Sequence, residues 1–444
     1  MTVFLNITRT NRQRRLGPPA VALLERRALH RKCRRPRQGR GRHVVWDSGR
    51  ESVAGMSKYT FIEFFAGGGM ARAGLGDSWR CLFANDFDQK KVSTYEANWG
   101  VGDIKHGDVA SLTLADLPAA DLAWASFPCQ DLSLAGGCRG LGRERDNAPT
   151  RSGTFWPFWR LMRGLVQAER APRTIVLENV HGCLTSHCGR DFAAIASALS
   201  DSDYKFGAAV IDASHFVPQS RPRVFFIAVR KGEAIPSSLI AKGPQTEWHP
   251  AALIQAHAGM TPKAKTNWIW WAIAKPASRT LAFSDIVEDV PTGVKWHTAA
   301  HTQHLLDLMA PLHRQKVARA MNSGRRTVGS VYRRTRPDEN GAKRQRAEVR
   351  FDDIAGCLRT PAGGSSRQTV LVVEGKKVRS RLLSPREAAR LMGLSDNYRL
   401  PERYNEAYHV CGDGVCVPAV RHLAEKLLEP LIEANRTGDL IAAE

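Results

Sequence analysis

A chain of 444 residues with 43% hydrophobic content is too long for one ordinary core and reads as two domains, one inserted in the other. It holds no run of about 18 uninterrupted apolar residues, which excludes a membrane span, and its arginine-rich start lacks the apolar region and cleavage site of a secretory signal. The formal charge of +22 points to phosphate wherever it is concentrated.

Half of that excess, 14 basic against 3 acidic residues, lies in residues 1–55. Runs such as "RRALHRKCRRPRQGRGR" have little apolar periodicity, so residues 1–57 are expected to be disordered on their own. They read as a basic arm on nucleic acid or as a non-native leader. The leader is favoured, because Met56 is followed at once by the first convincing strand. The nine cysteines include two C-x4-C pairs, Cys183/Cys188 and Cys411/Cys416. Neither has zinc-ligand spacing with a matching second half, so no metal is expected and reduced thiols of a cytoplasmic protein are the reading.

From there the elements follow in order. "KYTFIEFFAGGG" is a short apolar strand meeting a glycine cluster, and "MARAGLGD" opens a helix. "CLFAND" is a second strand that ends in an acid, followed by helical "FDQKKVSTYEANWG". "DLAWASF" and "RTIVLENV" are further buried-type strands. Between these two lie a glycine- and charge-rich loop from Asp131 to Ser152 and the amphipathic helix "GTFWPFWRLMRGLVQAE", with Pro157 in its first turn. Helix "DFAAIASALSD" leads to "YKFGAAVID" and "RVFFIAVR", two strands expected to be mutually antiparallel. This alternation predicts an α/β fold, an open and mostly parallel sheet with helices on both faces. The catalytic domain is placed at 58–235. After Arg230 the rhythm breaks, and 236–378 is read as a smaller inserted domain with tryptophans 248, 268, 270, 271 and 296 as its core. Nine basic and three acidic residues crowd Arg325–Arg350. Residues 379–444 return to the first domain, with Ser384 as N-cap, Pro385 at the first helical position and Glu387 in the first turn.

Four elements carry chemistry. Glycines after a first strand let a ligand approach a helix start closely, and Asp86, about 20 residues on, suits a ribose hydroxyl pair. No G-K-[ST] follows and G-x-G-x-x-G is not cleanly met, so Gly67-Gly68-Gly69 before Met70 better suits a nucleoside without pyrophosphate. Cys129, in "SFPCQDLS", lies at a strand's carboxyl end behind Pro128. On its own it fits a small buried hydrophobe as well as a nucleophile. Glu178 follows four apolar residues in "RTIVLENV", where a carboxylate is costly to bury without a partner. Arg221 and Arg223 in "QSRPR" alternate onto one face. A thiol, a carboxylate and a guanidinium at three strand edges can surround one planar substrate.

Taken together, "FFAGGG", "NDFD", "GDV", "FPCQDLS", "ENV", "QSRPR", "SPREAARLMG" and "GDGVCVPAV" resemble the DNA (cytosine-5)-methyltransferases of bacteria and phages, in that family's order. The resemblance covers about residues 59–230 and 380–420 and implies a Rossmann-like fold that uses S-adenosylmethionine. It implies that the Cys129 thiolate adds to cytosine C6, that Glu178 holds the N3/N4 edge, and that Arg223 and Arg221 meet O2 or a nearby phosphate. The base would be flipped out of duplex DNA, under a lid running from Asp131 to Ser152. For the cofactor it implies Phe65, Gly67 and Gly69 in the first turn and Asp86 on the ribose. Phe87 would stack on adenine, Asp108 would accept from its amino group, Pro128 would flank it, and Asp413 and Val415 would line the methionine side. Met70 and Asp413 depart from the commoner glycine and asparagine, and Glu63 and Asp88 lie beside the pocket. The inserted domain would recognise the target, with Gln130, Ser133, Arg333, Arg334 and Arg336 against DNA and Arg359, Arg367 and Gln368 as base readers or phosphate contacts. A monomer is expected, in a restriction–modification or phage setting, alongside a possible cognate endonuclease. Methylation of RNA cytosine and a catalytically silent DNA-binding relative are the alternatives. The inserted basic domain favours duplex DNA over RNA, and intact Cys129, Glu178 and QxRxR count against a silent binder.

Overall fold

The computed structural model describes residues 57–128, 151–359 and 367–442. The expectations for residues 1–56, for Cys129, Gln130 and Ser133, and for the greater part of the Asp131–Ser152 loop lie outside the described residues.

Seven short apolar segments become strands: β1 (Tyr59–Phe64), β2 (Trp79–Asp86), β3 (Ile104–His106), β4 (Leu122–Ala125), β5 (Thr174–Val180), β6 (Tyr204–Asp212) and β7 (Pro222–Arg230). They form one sheet in the order β3-β2-β1-β4-β5-β7-β6. All neighbours are parallel except at β7, which runs antiparallel to both β5 and β6. The mostly parallel sheet and the antiparallel final pair agree with the reading of the sequence. Strand order reverses direction between β1 and β4, and a sheet of this kind opens its ligand crevice at such a point, outside the carboxyl ends.

Side chains alternate between two cores, as the period of a strand requires. In β7, Phe225, Ile227 and Val229 enter one core and Val224, Phe226 and Ala228 the other. Helices α1 (Met70–Leu75) and α2 (Gln89–Trp99) cover the first face. Helices α3 (Phe155–Gln167) and α4 (Arg190–Asp201) cover the second. The apolar stripe of α3, Phe155, Phe158, Trp159, Leu161, Met162 and Leu165, recurs at helical spacing and is wholly buried.

Beyond β7 come α5 (Ala251–Ala258), α6 (Pro262–Thr266), α7 (Phe283–Ile286), α8 (Ala299–Asp307) and α9 (Pro311–Asn322). A second sheet follows: β8 (Arg326–Pro337), β9 (Lys343–Arg350), β10 (Thr369–Glu374) and β11 (Lys377–Leu382). It is antiparallel, in the order β11-β10-β8-β9. One of its faces, with Leu371 and Val373, packs on Leu305, Met309 and Val317 of α8, α9 and their junction. The other, with Val328, Val370 and Val372, joins the first face's core.

One expectation is corrected here. Trp248 and Trp271 belong to the main core, and Trp268 packs against its second half. β6 is the sheet's outer strand and has unpaired backbone groups to satisfy. The segment after β7 supplies them: Phe206 N donates to the Asn267 carbonyl, Ile269 N to that of Phe206 and Val210 N to that of Trp248. Covering that edge takes Trp248, Trp268 and Trp271 away from the inserted domain, whereas Trp296 stays against Arg379 and Arg381 of β11.

The chain closes with α10 (Pro385–Leu391), α11 (Tyr404–Asp413), α12 (Val417–Leu423) and α13 (Glu429–Ala442). The Ser384/Glu387 capping box expected at α10 forms, with Pro385 at its first position. Glu387 also meets Arg381 in a fully buried, two-pronged ion pair of 2.6 and 2.7 Å, which ties β11 to α10. No helix among the described residues is long and apolar enough to cross a membrane.

Candidate active site

Two of the catalytic candidates, Glu178 and Arg223, meet at the carboxyl end of β5, which lies beside the carboxyl end of β4. Because β7 runs antiparallel, its first residues lie at this same edge, and Arg223 pairs in register with Val180. Glu178, only 6% exposed, meets the Arg223 Nε at 3.1 Å. Burial pushes the Glu178 carboxyl above its ordinary range, while Arg223, Arg221 and a hydrogen bond from Ser126 pull it back. The sequence places the next residue, Asn179, beside the loop that follows β4. Its side-chain amide donates to the Phe127 carbonyl at 3.1 Å, fixing the peptide just ahead of Pro128. Trp124 Nε1 donates to Ser126 Oγ at 3.0 Å, so residues 126–128 are anchored from within β4 and from β5.

Arg221 is placed differently from the expectation that it meets the substrate. It is 1% exposed and donates to the carbonyls of Leu358, Gly412 and Gly414 at 3.0, 2.8 and 2.7 Å, with a longer contact to Cys357 Sγ at 3.4 Å. Residue 221 precedes the first strand position, so its side chain points into the junction of β7, the loop before β10 and the end of α11. There it bonds backbone oxygens that have no ladder partner. Gln219 does similar work: its amide donates to the Leu391 carbonyl and accepts from Leu358 N.

Cys357 escaped the sequence reading. Its thiol touches Arg221, and although burial works to raise its pKa, Arg221, Arg223 and Arg359 more than offset that and hold it below the ordinary thiol value. The only signal in the sequence was the neighbouring Arg359. By contrast Cys183, Cys411 and Cys416 are buried, and burial raises all three thiols, to about 12 for the last two.

The glycine turn forms the second part of the site. Phe65, Gly67 and Gly69 all have positive φ, 57°, 57° and 77°, a conformation that glycine adopts without strain and phenylalanine does not. Gly68 and Gly69 admit no side chain: a Cβ would lie 2.2 Å from Tyr398 Oη and 2.2 Å from Trp99 Nε1 respectively. At Gly67 the same position is open space. Asp86 organises the turn, accepting from Gly67 N at 2.8 Å and Asp88 N at 2.9 Å. Phe87, at the end of β2, is 74% exposed. Asp108 is exposed and caps the next turn by accepting from Ala110 N. Beneath the turn, Glu63 is buried. Its carboxyl is pushed up to about 8, first by burial and then by Asp86, against the pull of Arg72.

Both departures from the family pattern have partners. Met70 is buried against Gly414, where a Cβ would stand 2.2 Å from its sulfur, so the bare backbone at 414 makes room for the larger residue at 70. Asp413 pairs with Lys91 of α2 at 2.9 Å. Asp413, Asp86 and Asp88 raise the lysine's pKa against the opposing effect of burial. Val415 is buried beside them.

The nucleic-acid candidates scatter. Arg333, Arg334 and Arg336 are exposed on β8, and Arg359 is exposed. Arg367 bonds Asn405 and lies over the Tyr404 ring. Gln368 does not reach a surface: it is 2% exposed, its backbone N–H donates to Tyr408 Oη, and it leads directly into β10. Its expected role as a base reader is corrected for that reason.

Residues 59–429 match the sequence model of the family described as C-5 cytosine-specific DNA methylase. The type II methyltransferase M1.ScrFI of Lactococcus lactis subsp. cremoris is 26% identical over 383 residues, covering 86% of this chain and 80% of that protein. The type II methyltransferase M.HpaII of Haemophilus parainfluenzae is 27% identical over 395 residues, covering 84% and 90%. The DNA-cytosine methyltransferase of Escherichia coli (strain K12) is 26% identical over 410 residues, covering 84% and 78%.

Proposed function

From a chain that belongs to the C-5 cytosine-specific DNA methylase family, we propose a catalyst that methylates C5 of a flipped-out cytosine in duplex DNA through a transient bond between Cys129 Sγ and C6. The observation that carries this reading is the buried Glu178–Arg223 pair at the strand edge where Pro128 leads into Cys129. C5 of cytosine is a poor nucleophile, so the ring must first be made electron-rich. The Cys129 thiolate adds to C6 while a proton is shared at N3, giving an enamine whose electron pair lies at C5. Glu178 suits the N3 role because burial holds its carboxyl above the ordinary range. Arg223, 3.1 Å from that carboxyl, orients it and would meet the base's O2. After methylation, loss of the C5 proton returns the electrons to the ring and expels Sγ.

The cofactor turn fits a nucleoside sulfonium. The open position at Gly67, the exposed ring of Phe87 and the anchored carboxylate of Asp86 suit an adenosine with no pyrophosphate. When bound, S-adenosylmethionine supplies the electrophilic methyl group. Phe65, Gly67, Gly69, Asp86, Phe87, Asp108, Pro128, Asp413 and Val415 would hold it. The type II names of the relatives support a restriction–modification setting; a phage setting, a cytoplasmic location, a cognate endonuclease and action as a monomer belong to the same proposal.

Tritiated methyl transfer from S-adenosylmethionine to duplex DNA tests this, with Cys129→Ser alongside. Labelling should fall to background in the serine variant; full activity there would overturn the nucleophile. Label entering RNA but not duplex DNA would overturn the substrate.

A further inference from the structure

The second sheet is longer than its fold requires. β10 pairs with β8 only from Arg326 to Val331. Beyond Val331, residues Tyr332–Pro337 pair among the described residues with β9 only, in the register Arg334↔Arg346, Thr335↔Gln345, Arg336↔Arg344 and Pro337↔Lys343. Residues 333–337 and 343–345 are all exposed. At about 3.4 Å per residue, the ribbon reaches roughly 20 Å past its last three-stranded pairing.

Apolar burial does not hold this ribbon out, and a lone two-stranded ribbon is marginal in water. Its charges work against it as well. Six basic residues face Asp338, Glu339 and Glu348, and two cross-strand pairs set arginine opposite arginine, an arrangement that disfavours pairing. Glu348 relieves part of this through Arg336 at 2.7 Å and Arg334 at 3.6 Å, and Asp338 through Arg344 at 2.6 Å. Among the described residues Lys343 and Arg346 have no acidic partner. The tip is nevertheless well defined. Asp338 accepts from Asn340 N and Ala342 N, and Gly341 takes a φ of 79°. A shaped, exposed and self-repelling ribbon is suited to a polyanion that supplies the missing counter-charge.

We infer that this ribbon enters a groove of duplex DNA, an inference that rests on the reading of the chain as a DNA methyltransferase. A major groove admits a two-stranded ribbon. Lys343 and Arg346 go to phosphates. Thr335 and Gln345, a neutral cross-strand pair able to donate and accept, go to base edges. The ribbon thus takes over the base-reading role for which Gln368 is too deeply buried.

Two variants divide the assignment, each first checked for wild-type thermal unfolding and S-adenosylmethionine binding. In Lys343→Gln/Arg346→Gln, the slope of log affinity for duplex DNA against log salt should become shallower by about 0.9 for each cation removed. In Thr335→Ala/Gln345→Ala, that slope should stay put while bisulfite sequencing of methylated DNA shows a relaxed recognition sequence. An unchanged slope in the first variant overturns the phosphate contacts, and an unchanged recognition sequence in the second overturns base reading. Binding is measured apart from turnover. If the wild-type chain binds duplex DNA without methylating it, the function falls while the slopes still judge the ribbon. If it does not bind, both fall.

Discussion

Replacing Arg221 by methionine separates structure from catalysis at this site. The guanidinium donates to three backbone carbonyls at 2.7–3.0 Å from a position that is 1% exposed. Without it the oxygens of Leu358, Gly412 and Gly414 lose their donor, each at a cost of about 1–3 kcal/mol. Methionine fills much of the volume and relieves the cost of burying a charge, so the net loss is about 3–5 kcal/mol, typical of breaking a buried charged network. That is a fifth or more of an ordinary domain's stability of about 5–15 kcal/mol. Because the carbonyls of 412 and 414 flank Asp413, the place proposed for the methionine end of S-adenosylmethionine should loosen too. Urea unfolding followed by tryptophan fluorescence reads the stability, and equilibrium binding of S-adenosylmethionine reads the second effect. Arg221→Met should unfold at distinctly lower urea and bind the cofactor more weakly. A variant with the wild-type unfolding midpoint and cofactor affinity but no methyl transfer would refute this reasoning and make Arg221 a catalytic residue.

Two further outcomes follow from the charges around the cofactor turn. Lys91→Met leaves Asp413 without its ammonium partner. The pair is partly solvated, at 22% and 33% side-chain exposure, so it contributes about 0.2–1 kcal/mol; KM for S-adenosylmethionine should rise no more than about fivefold while kcat holds. Adding Asp413→Asn to that chain should restore KM, and a double variant as impaired as the single one would show that the lysine acts elsewhere. Glu63, with its carboxyl raised to about 8, binds its proton more tightly in the folded protein than in the unfolded chain. Its contribution to stability is therefore complete below the unfolded pKa of about 4.5 and is lost as pH rises through about 8, at about 1.4 kcal/mol per pH unit between those values. Urea midpoints at about pH 5, 7 and 9 should fall less steeply in Glu63→Gln than in the wild type; parallel falls would exclude this residue as the source.

The sequence alone determined the local chemistry. Short apolar runs alternating with helical segments specify strands and helices because burial on two faces of a sheet demands that pattern. The Ser384-Pro385-x-Glu387 run caps α10 by contacts within one turn. Glycines at 67–69 and an acid at the end of the next strand marked the turn proposed for the cofactor, since close approach and positive φ leave few residue types. The catalytic candidates were legible too, because buried strand ends that finish in Glu178 or open on Arg223 are hard to explain by packing. What only the tertiary structure decided are the pairings between distant segments. Arg221 bonds Gly412 and Gly414, Lys91 meets Asp413, Met70 fills the space left by Gly414, and the tryptophans after β7 close an edge of the first sheet. Arg221 and Arg223 look alike in "QSRPR", yet one is sealed among backbone carbonyls and the other faces Glu178. Two residues of β8–α11 connectivity show the same limit: Gln368 and Arg333 both read as polar, and only strand pairing put one inside the fold and the other on a projecting ribbon. Periodicity reports which side of its own element a residue occupies; which element lies on that side depends on how the whole chain closes.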